Sequence, residues 1–242
     1  SGDFYTREHI LYQLKKYSDF GIGNIMVMGT DRPYLFESGI RDLSVKGEIP
    51  GARIHTSANG FGSPEGAPPL AMAMDQVFRP TSPDEISGQL KSILLYKPEL
   101  VKFWLDDFNG MYKSKMPEEI YKTIINESHK NKLRVAAHVY YLSDARKVVR
   151  DGVDILAHSI RDSIVDDNLL KEMKEKGVVY IPTLSLDEFA FIYSKKPEWI
   201  NDPFFKASLE SDVYNLITSE DYQNKIKNDP QFNQKIKAFN IA

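Results

Sequence analysis

The chain has 242 residues, 42% of them hydrophobic, which is enough for one sizeable core. Its formal net charge is −3 with no long block of one sign, so nothing in its charge favours nucleic acid or an acidic membrane as a partner. The absence of cysteine excludes disulfides and thiolate metal sites, so any metal must be held by His, Asp, Glu or an unusual ligand.

The first residues predict an amphipathic helix rather than an export signal. Ile10, Leu11, Leu14 and Tyr17 share one side of this helix, and residues 1–19 lack the apolar centre of a signal peptide. No apolar run approaches the roughly 20 residues that span a bilayer, so we expect a soluble chain. Because the chain begins with Ser, we expect the true N-terminus to lie upstream. The compartment is therefore open: cytoplasmic, or exported if a missing segment carries a signal.

Short apolar runs alternate with helical patterns along most of the chain. This alternation predicts an α/β fold with right-handed crossovers and a parallel sheet, in a single domain over residues 1–242. The strands are buried on both faces, which explains their nearly continuous apolar character. The predicted strands are 24–28, 52–58, 100–104, 133–139, 154–157 and 178–183. The predicted helices between them are 33–45, 83–96, 117–130, 143–150 and 165–176.

Two segments depart from this alternation. Residues 59–80 form a long connection rich in Gly and Pro, which favours an active-site loop, although a flexible surface excursion is nearly as consistent. Residues 185–242 are charged and aromatic, with prolines dividing the predicted helices and no clear strand. We expect this tail to be a helical excursion from the sheet.

Two of the predicted strands end in a histidine, His138 and His158. One histidine at the end of a buried strand is more often a satisfied core residue than a ligand. Two on successive parallel strands can converge, because neighbouring strands lie about 4.8 Å apart and sites are built at their C-terminal ends. The pair therefore predicts a metal site at this end of the sheet.

The preceding strand adds Lys102, which lies inside an apolar run. On its own, such a lysine is best explained by snorkelling or by pairing with Asp106 or Asp107. Alternatively, burial lowers its pKa, the neutral amine takes up carbon dioxide, and the carbamate bridges two metal ions. Carbamate oxygen and imidazole together suit zinc or a similar divalent ion.

The order of these residues resembles a known family. VKFW around Lys102, VAAHVYY around His138 and GVDILAHSIRD around His158 are similar to the metal-dependent amidohydrolase superfamily, in the branch near imidazolonepropionase and the carboxylated-lysine peptidases. FGIGNIMVMGTD and PGARIHTSANGFGSPEGAPP also resemble that branch. The resemblance covers nearly the whole chain and implies a (β/α)8 TIM barrel with one or two metal ions at its C-terminal rim.

Carried over by position, Lys102 would be the carboxylated bridge, and His138 and His158 would be ligands. The family's first-strand His-x-His pair is absent, since His9 and His55 stand alone, and its eighth-strand catalytic Asp is not found after Thr183. The six predicted strands would therefore be strands two to seven of a barrel, making this an internal fragment whose general-base Asp lies outside the chain. Such a fragment should bind metal weakly, be inactive alone, and associate as a homo-oligomer or through its open edges.

Three residues near the predicted rim are candidates for substrate binding. Arg161 could hold a substrate carboxylate, although Asp162 beside it makes an ion pair equally consistent. Tyr140 could line the pocket or simply pack, and Thr183 could contact substrate. The resemblance implies hydrolysis of amide or peptide-like C–N bonds in a small or dipeptide-like substrate. The alternative is a catalytically inactive barrel that binds a ligand or a protein.

Overall fold

The computed structural model describes residues 5–69 and 76–242. Within them the chain alternates between strands and helices, as the sequence predicts. The strands are β1 (Asn24–Val27), β2 (Arg53–Thr56), β3 (Leu100–Trp104), β4 (Arg134–His138), β5 (Ile155–Ala157) and β6 (Val179–Ile181). The helices up to β6 are α1 (Arg7–Asp19), α2 (Pro33–Glu37), α3 (Ile40–Lys46), α4 (Pro83–Leu94), α5 (Glu118–Lys130), α6 (Leu142–Arg150) and α7 (Asp167–Lys176).

All paired strands run parallel and follow one another in sequence order. β1 pairs with β2, and β3 to β6 form a second sheet in the order β3-β4-β5-β6. Backbone bonds link the two sheets: the Glu99 N–H donates to the Thr56 carbonyl at 2.9 Å, and the Phe61 N–H donates to the Lys102 carbonyl at 2.9 Å. The fold is α/β, a partial (β/α) barrel, and this prediction is confirmed.

The two faces of the larger sheet bury different side chains. Val101, Phe103 and Val135 pack against the helices in the main core. Leu100 and Ala136 belong to a separate apolar cluster on the opposite face. Since successive strand residues point to opposite faces, Lys102, Trp104 and His138 share the face of this second cluster. The barrel interior is therefore apolar at the N-terminal end of the strands and carries polar side chains at the C-terminal end.

One predicted helix is wrong in its extent. Residues 33–45 form two helices, α2 and α3, because Gly39 between them has a left-handed backbone with φ of 72°. The other predicted helices agree within a few residues. In α4, Ser82 and Glu85 form a capping box before Pro83, the first helical residue, which explains the sharp start.

The tail is helical from residue 184 onwards and folds back over the barrel, where α12 (Phe232–Ile241) packs on α8 (Leu184–Ile192). Tyr193, Ile200 and Ile217 form a small separate core in the tail, and partly buried side chains that include Phe205 and Tyr222 pack against it. None of the helices in residues 5–69 and 76–242 combines the length and apolar character needed to cross a membrane. The tail helices are α8 (Leu184–Ile192), α9 (Pro203–Ser208), α10 (Ser211–Thr218), α11 (Glu220–Lys227) and α12 (Phe232–Ile241), with a 3₁₀ turn at Glu198–Asn201.

The predicted active-site loop, residues 59–80, lies partly outside the described residues, which exclude 70–75. The described ends of this segment form backbone bridges and hydrogen bonds with β3 and with each other. Phe61 forms bridges to Phe78 and to Phe103, and the Arg79 guanidinium donates to the carbonyl of Ser63 at 2.7 Å. The role of this loop in the active site stays a prediction.

Candidate functional site

The structure places His138 and His158 at the C-terminal end of the barrel strands, with Lys102 in the middle of β3, on the same face and in register with Ala136. His138, the last residue of β4, pairs in register with Trp104 of β3 and Ala157 of β5. The ring centroids of His138 and His158 lie 4.5 Å apart. The two histidines therefore lie side by side at this end of the sheet. Their roles as ligands stay predictions.

Lys102 is buried, with 1% of its surface exposed, so it does not snorkel to solvent. Its Nζ donates to the carbonyl of Phe103 at 2.8 Å and lies 4.5 Å from the ring centroid of Trp104. Burial holds the pKa of Lys102 well below its usual value, and the nearby Asp106 carboxylate only partly opposes this effect. A lowered pKa favours the neutral amine, which is the form that can react with carbon dioxide.

His158 reaches the site through an unusual backbone conformation. Strand alternation after Ala157 would point the next side chain towards the helices, but His158 has a φ of 74°. This left-handed conformation is rare outside glycine and is enriched at functional sites. The His158 Nδ1 is 2.8 Å from the Thr183 hydroxyl, which leaves Nε2 as the nitrogen that could bind a ligand. Burial, assisted by the charge of Lys102, lowers the pKa of His158 to about 3.

His138 is the most unusual polar group in the site. It is 4% exposed, yet among the described residues neither ring nitrogen makes a hydrogen bond. The ring of Phe108 stacks on it with centroids 4.4 Å apart. Burial, followed by the charge of Lys102, lowers its pKa well below the usual value. A buried neutral imidazole with unpaired nitrogens is a group that a bound ligand would complete.

Asp106 is a site residue that the sequence interpretation treated only as a partner of Lys102. It is 1% exposed, and its Oδ2 lies 3.4 Å from the His138 Nε2 without another partner in the described part of the chain. Its Oδ1 accepts the Phe108 backbone N–H at 2.8 Å. Burial raises the pKa of Asp106 to about 7. The available signal was its position, two residues after β3, but the neighbouring Asp107 has the same local context.

These donors fit a divalent metal in kind. Burial keeps both imidazoles neutral, which is the form that coordinates metal, and it favours the reactive form of Lys102. Within residues 5–69 and 76–242, however, no three His, Asp or Glu side chains are grouped closely enough to hold an ion. The described residues would therefore supply only part of the ligands that such an ion needs.

A pocket of about 230 Å³ adjoins these residues, with Phe108, Tyr140, Arg161 and Asp187 in its wall. Its outer side is formed by α12, through Gln234 and neighbouring residues. Sequence reasoning did not identify α12 as part of the pocket, because at least 71 residues separate this helix from Arg161. The pocket therefore combines loops after the strands with the last helix of the tail.

The substrate-binding candidates occupy different positions in this region. Tyr140 and Arg161 line the pocket, and the guanidinium carbon of Arg161 lies 5.7 Å from the ring centroid of Tyr140. Arg161 pairs with Asp187 rather than with Asp162: its Nε is 2.7 Å from the Asp187 Oδ1. Thr183 contacts His158. Contact of any of these with substrate stays a prediction.

No protein-family model and no curated protein matches the chain. The fold is similar to that of solved hydrolase structures, including the following three. A Xaa-Pro dipeptidase with bound methionine aligns with a TM-score of 0.60 and 19% identity over 98% of this chain and 58% of its own. The ochratoxinase of A. niger aligns with a TM-score of 0.63 and 16% identity over 97% and 54%. Molinate hydrolase aligns with a TM-score of 0.60 and 15% identity over 88% and 51%. The chain spans little more than half of these hydrolases, and it has the fold of that part of their structures.

Proposed function

We propose that this chain is part of a metal-dependent hydrolase of amide or related C–N bonds, in the amidohydrolase superfamily. The observation that carries the proposal is the close approach of the His138 and His158 rings beside the buried Lys102, with both nitrogens of His138 unpaired among the described residues. The similarity in fold to a dipeptidase, an ochratoxinase and molinate hydrolase supports the same reaction class.

Lys102, His138 and His158 would hold one or two divalent ions, with zinc the best match to imidazole and carbamate donors. Lys102 would contribute as a carbamate formed with carbon dioxide. When bound, such an ion polarises a carbonyl and lowers the pKa of a bound water towards about 7. The chain's own residues prepare the site: burial keeps the imidazoles neutral, and Thr183 fixes His158.

The pocket beside this centre supports a substrate with an apolar body and a carboxylate. Phe108, Met111 and Leu186 supply apolar walls. Arg161 is held by Asp187 through Nε, and neither Nη has another side-chain partner in the described part of the chain. A planar guanidinium suits a carboxylate, so Arg161 would orient a dipeptide-like substrate, with Tyr140 beside it.

We further propose that the remaining donors, a His-x-His pair and the general-base Asp, come from polypeptide outside residues 1–242. The 242-residue chain alone would then bind metal weakly and turn over poorly. The outer strands β1 and β6 each pair on one side only within the described residues, so their other edges are where neighbouring strands would add. The same edges would otherwise favour association between copies.

The test is to read the gene in frame on both sides of residues 1–242 and to assay its complete product. With zinc and bicarbonate, we expect hydrolysis of N-acyl amino acids or dipeptides, and loss of bound metal in His138→Ala. His129→Ala is a matched control, because His129 is 41% exposed and pairs with Asp154 at a helix end. A complete product that binds no metal in any form would overturn the proposal.

A second candidate is a barrel that binds a ligand without catalysis. It is favoured by the incomplete donor set among the described residues. A gene that supplies no further His or Asp donors, together with a ligand bound in the Arg161 pocket, would support this candidate instead.

A further inference from the structure

A short turn after β3 holds His138 from two sides. The Asp106 Oδ1 accepts the backbone N–H of Phe108 at 2.8 Å, which fixes the carboxylate and the following residues as one unit. Phe108 and Asn109 both have left-handed backbones, with φ of 50° and 59°. As a result, the Phe108 ring covers the face of His138 while the Asp106 Oδ2 approaches its edge. Strained non-glycine residues beside a site indicate a functional constraint.

The contact at the edge of the imidazole joins two buried polar atoms, one of Asp106 and one of His138. The Asp106 Oδ2 and the His138 Nε2 lie 3.4 Å apart, and within the described residues neither has a hydrogen-bond partner. The ionised Asp106 carboxylate can only accept, and the neutral His138 ring can donate through Nε2. Leaving either buried group unpaired costs about 1–3 kcal/mol, so pairing them is favoured. The Lys102 Nζ donates to the carbonyl of Phe103 and does not donate to the Asp106 Oδ2, which has no hydrogen-bond partner in the described part of the chain.

We infer that Asp106 is a positioning residue for His138: it accepts the Nε2–H and thereby leaves Nδ1 as the nitrogen with a free lone pair. The stacked Phe108 ring fixes the plane of the imidazole. A carboxylate in this position fixes the tautomer of a histidine and raises its basicity as a ligand. The consequence for metal binding rests on the proposed function, whereas the tautomer is a property of the protein itself.

The experiment measures both properties on the 242-residue chain. Long-range ¹H–¹⁵N spectra of the imidazoles, without metal, report the tautomer, with the His138 signals assigned by their loss in His138→Gln. Zinc affinity is measured by competition with a chromophoric chelator. Asp106→Ala removes the acceptor, and Asp106→Asn keeps a carbonyl oxygen that can accept. The matched control is Asp107→Ala, since the Asp107 carboxylate faces away to the Tyr141 hydroxyl at 2.7 Å.

We expect the Nε2–H tautomer in the wild type, a mixture in Asp106→Ala, and zinc binding about 10–100-fold weaker in that variant. Asp106→Asn should recover most of both properties, and Asp107→Ala should change neither. An Nδ1–H tautomer in the wild type overturns the inference even if Asp106→Ala does not fold. So does an Asp106→Ala variant with unchanged tautomer and affinity. If neither the wild type nor any variant binds zinc but the Nε2–H tautomer is present, the metal site is refuted and the positioning role of Asp106 is supported.

Discussion

The hydroxyl of Thr183 lies 2.8 Å from the Nδ1 of His158, and both residues have left-handed backbones, with φ of 51° and 74°. Thr183 follows β6 and His158 follows β5, so two strained strand ends meet at one hydrogen bond. A β-branched residue in this conformation is strained, and the strain persists only where surrounding contacts determine it. The contact turns His158 towards His138 and orients its ring.

Removing the Thr183 hydroxyl should weaken metal binding. Thr183→Val keeps the shape and the β-branch but loses the partner of His158, so zinc affinity should fall by about 10–100-fold, as for other residues that orient a ligand. Thr183→Ser keeps a hydroxyl and should retain the affinity. Chelator competition measures both. Equal affinity in Thr183→Val and wild type would show that the hydroxyl does not orient His158.

Arg161 should bind the carboxylate of a pocket ligand. Lysine cannot reproduce the bidentate fork, and hydrogen bonds to charged groups contribute about 1.5–3 kcal/mol. Arg161→Lys should therefore weaken binding of an N-acetyl amino acid at least tenfold, but leave its carboxamide analogue unaffected, as measured by calorimetry. Arg146→Lys provides the control, because Arg146 forms a partly exposed ion pair with Asp166. Parallel losses for acid and amide would contradict the assignment.

Asp31 should make stability depend on pH. It is buried beside Thr56, whose hydroxyl donates to its carboxylate, and burial raises its pKa from 3.8 to about 6. The folded state binds the proton of the Asp31 carboxyl more tightly than the unfolded state does. The contribution of this protonation to folding stability is therefore complete below pH 3.8 and is lost as the pH rises through about 6. Asp31→Asn should therefore gain stability relative to wild type between pH 4 and 7, by up to about 3 kcal/mol.

Urea unfolding at several pH values measures this difference. Asp42→Asn is the control, since the Asp42 side chain is 67% exposed and should give a profile parallel to wild type. An Asp31→Asn profile parallel to wild type would show that Asp31 does not bind a proton more tightly in the folded state.

Gly60 should not accept a side chain. A Cβ there would lie 2.4 Å from the Trp104 ring, whose centroid is 4.5 Å from the Lys102 Nζ. Overpacking of this kind typically costs about 1–3 kcal/mol, so Gly60→Ala should lower the free energy of unfolding by that amount. Gly88→Ala, in α4, meets nothing within 4 Å and should instead stabilise by about 0.5–1 kcal/mol. Chemical denaturation of the two variants should give opposite signs, and a stable Gly60→Ala would refute the close packing.

The edge of β6 should promote self-association. Val179 is 43% exposed on this strand, which pairs only with β5 among the described residues. Sedimentation velocity should show association that increases with concentration and that Val179→Lys reduces, because edge lysines oppose strand pairing. Leu170→Lys, at a similarly exposed position on α7, should leave the association unchanged. A monomer at all concentrations would contradict this prediction.

The sequence alone determined the strands, most helices and the end of the sheet that holds the site. Apolar runs such as 100–104 report burial on both faces, and parallel connections bring their C-terminal ends together. This local information was sufficient to place Lys102 and His138. It also contained Gly39, the signal that divides α2 from α3, although the periodic pattern across 33–45 concealed it.

Only the tertiary structure decided the orientation of the side chains in the site. Strand alternation points His158 away from His138, and the left-handed turn that redirects it depends on contacts with Thr183, 25 residues away. Asp106 and Asp107 are alike in sequence, but one is buried against His138 and the other bonds to Tyr141. The sequence pattern reports the average environment of a residue along one element. The partner that satisfies a buried polar group comes from another element, and only packing selects it.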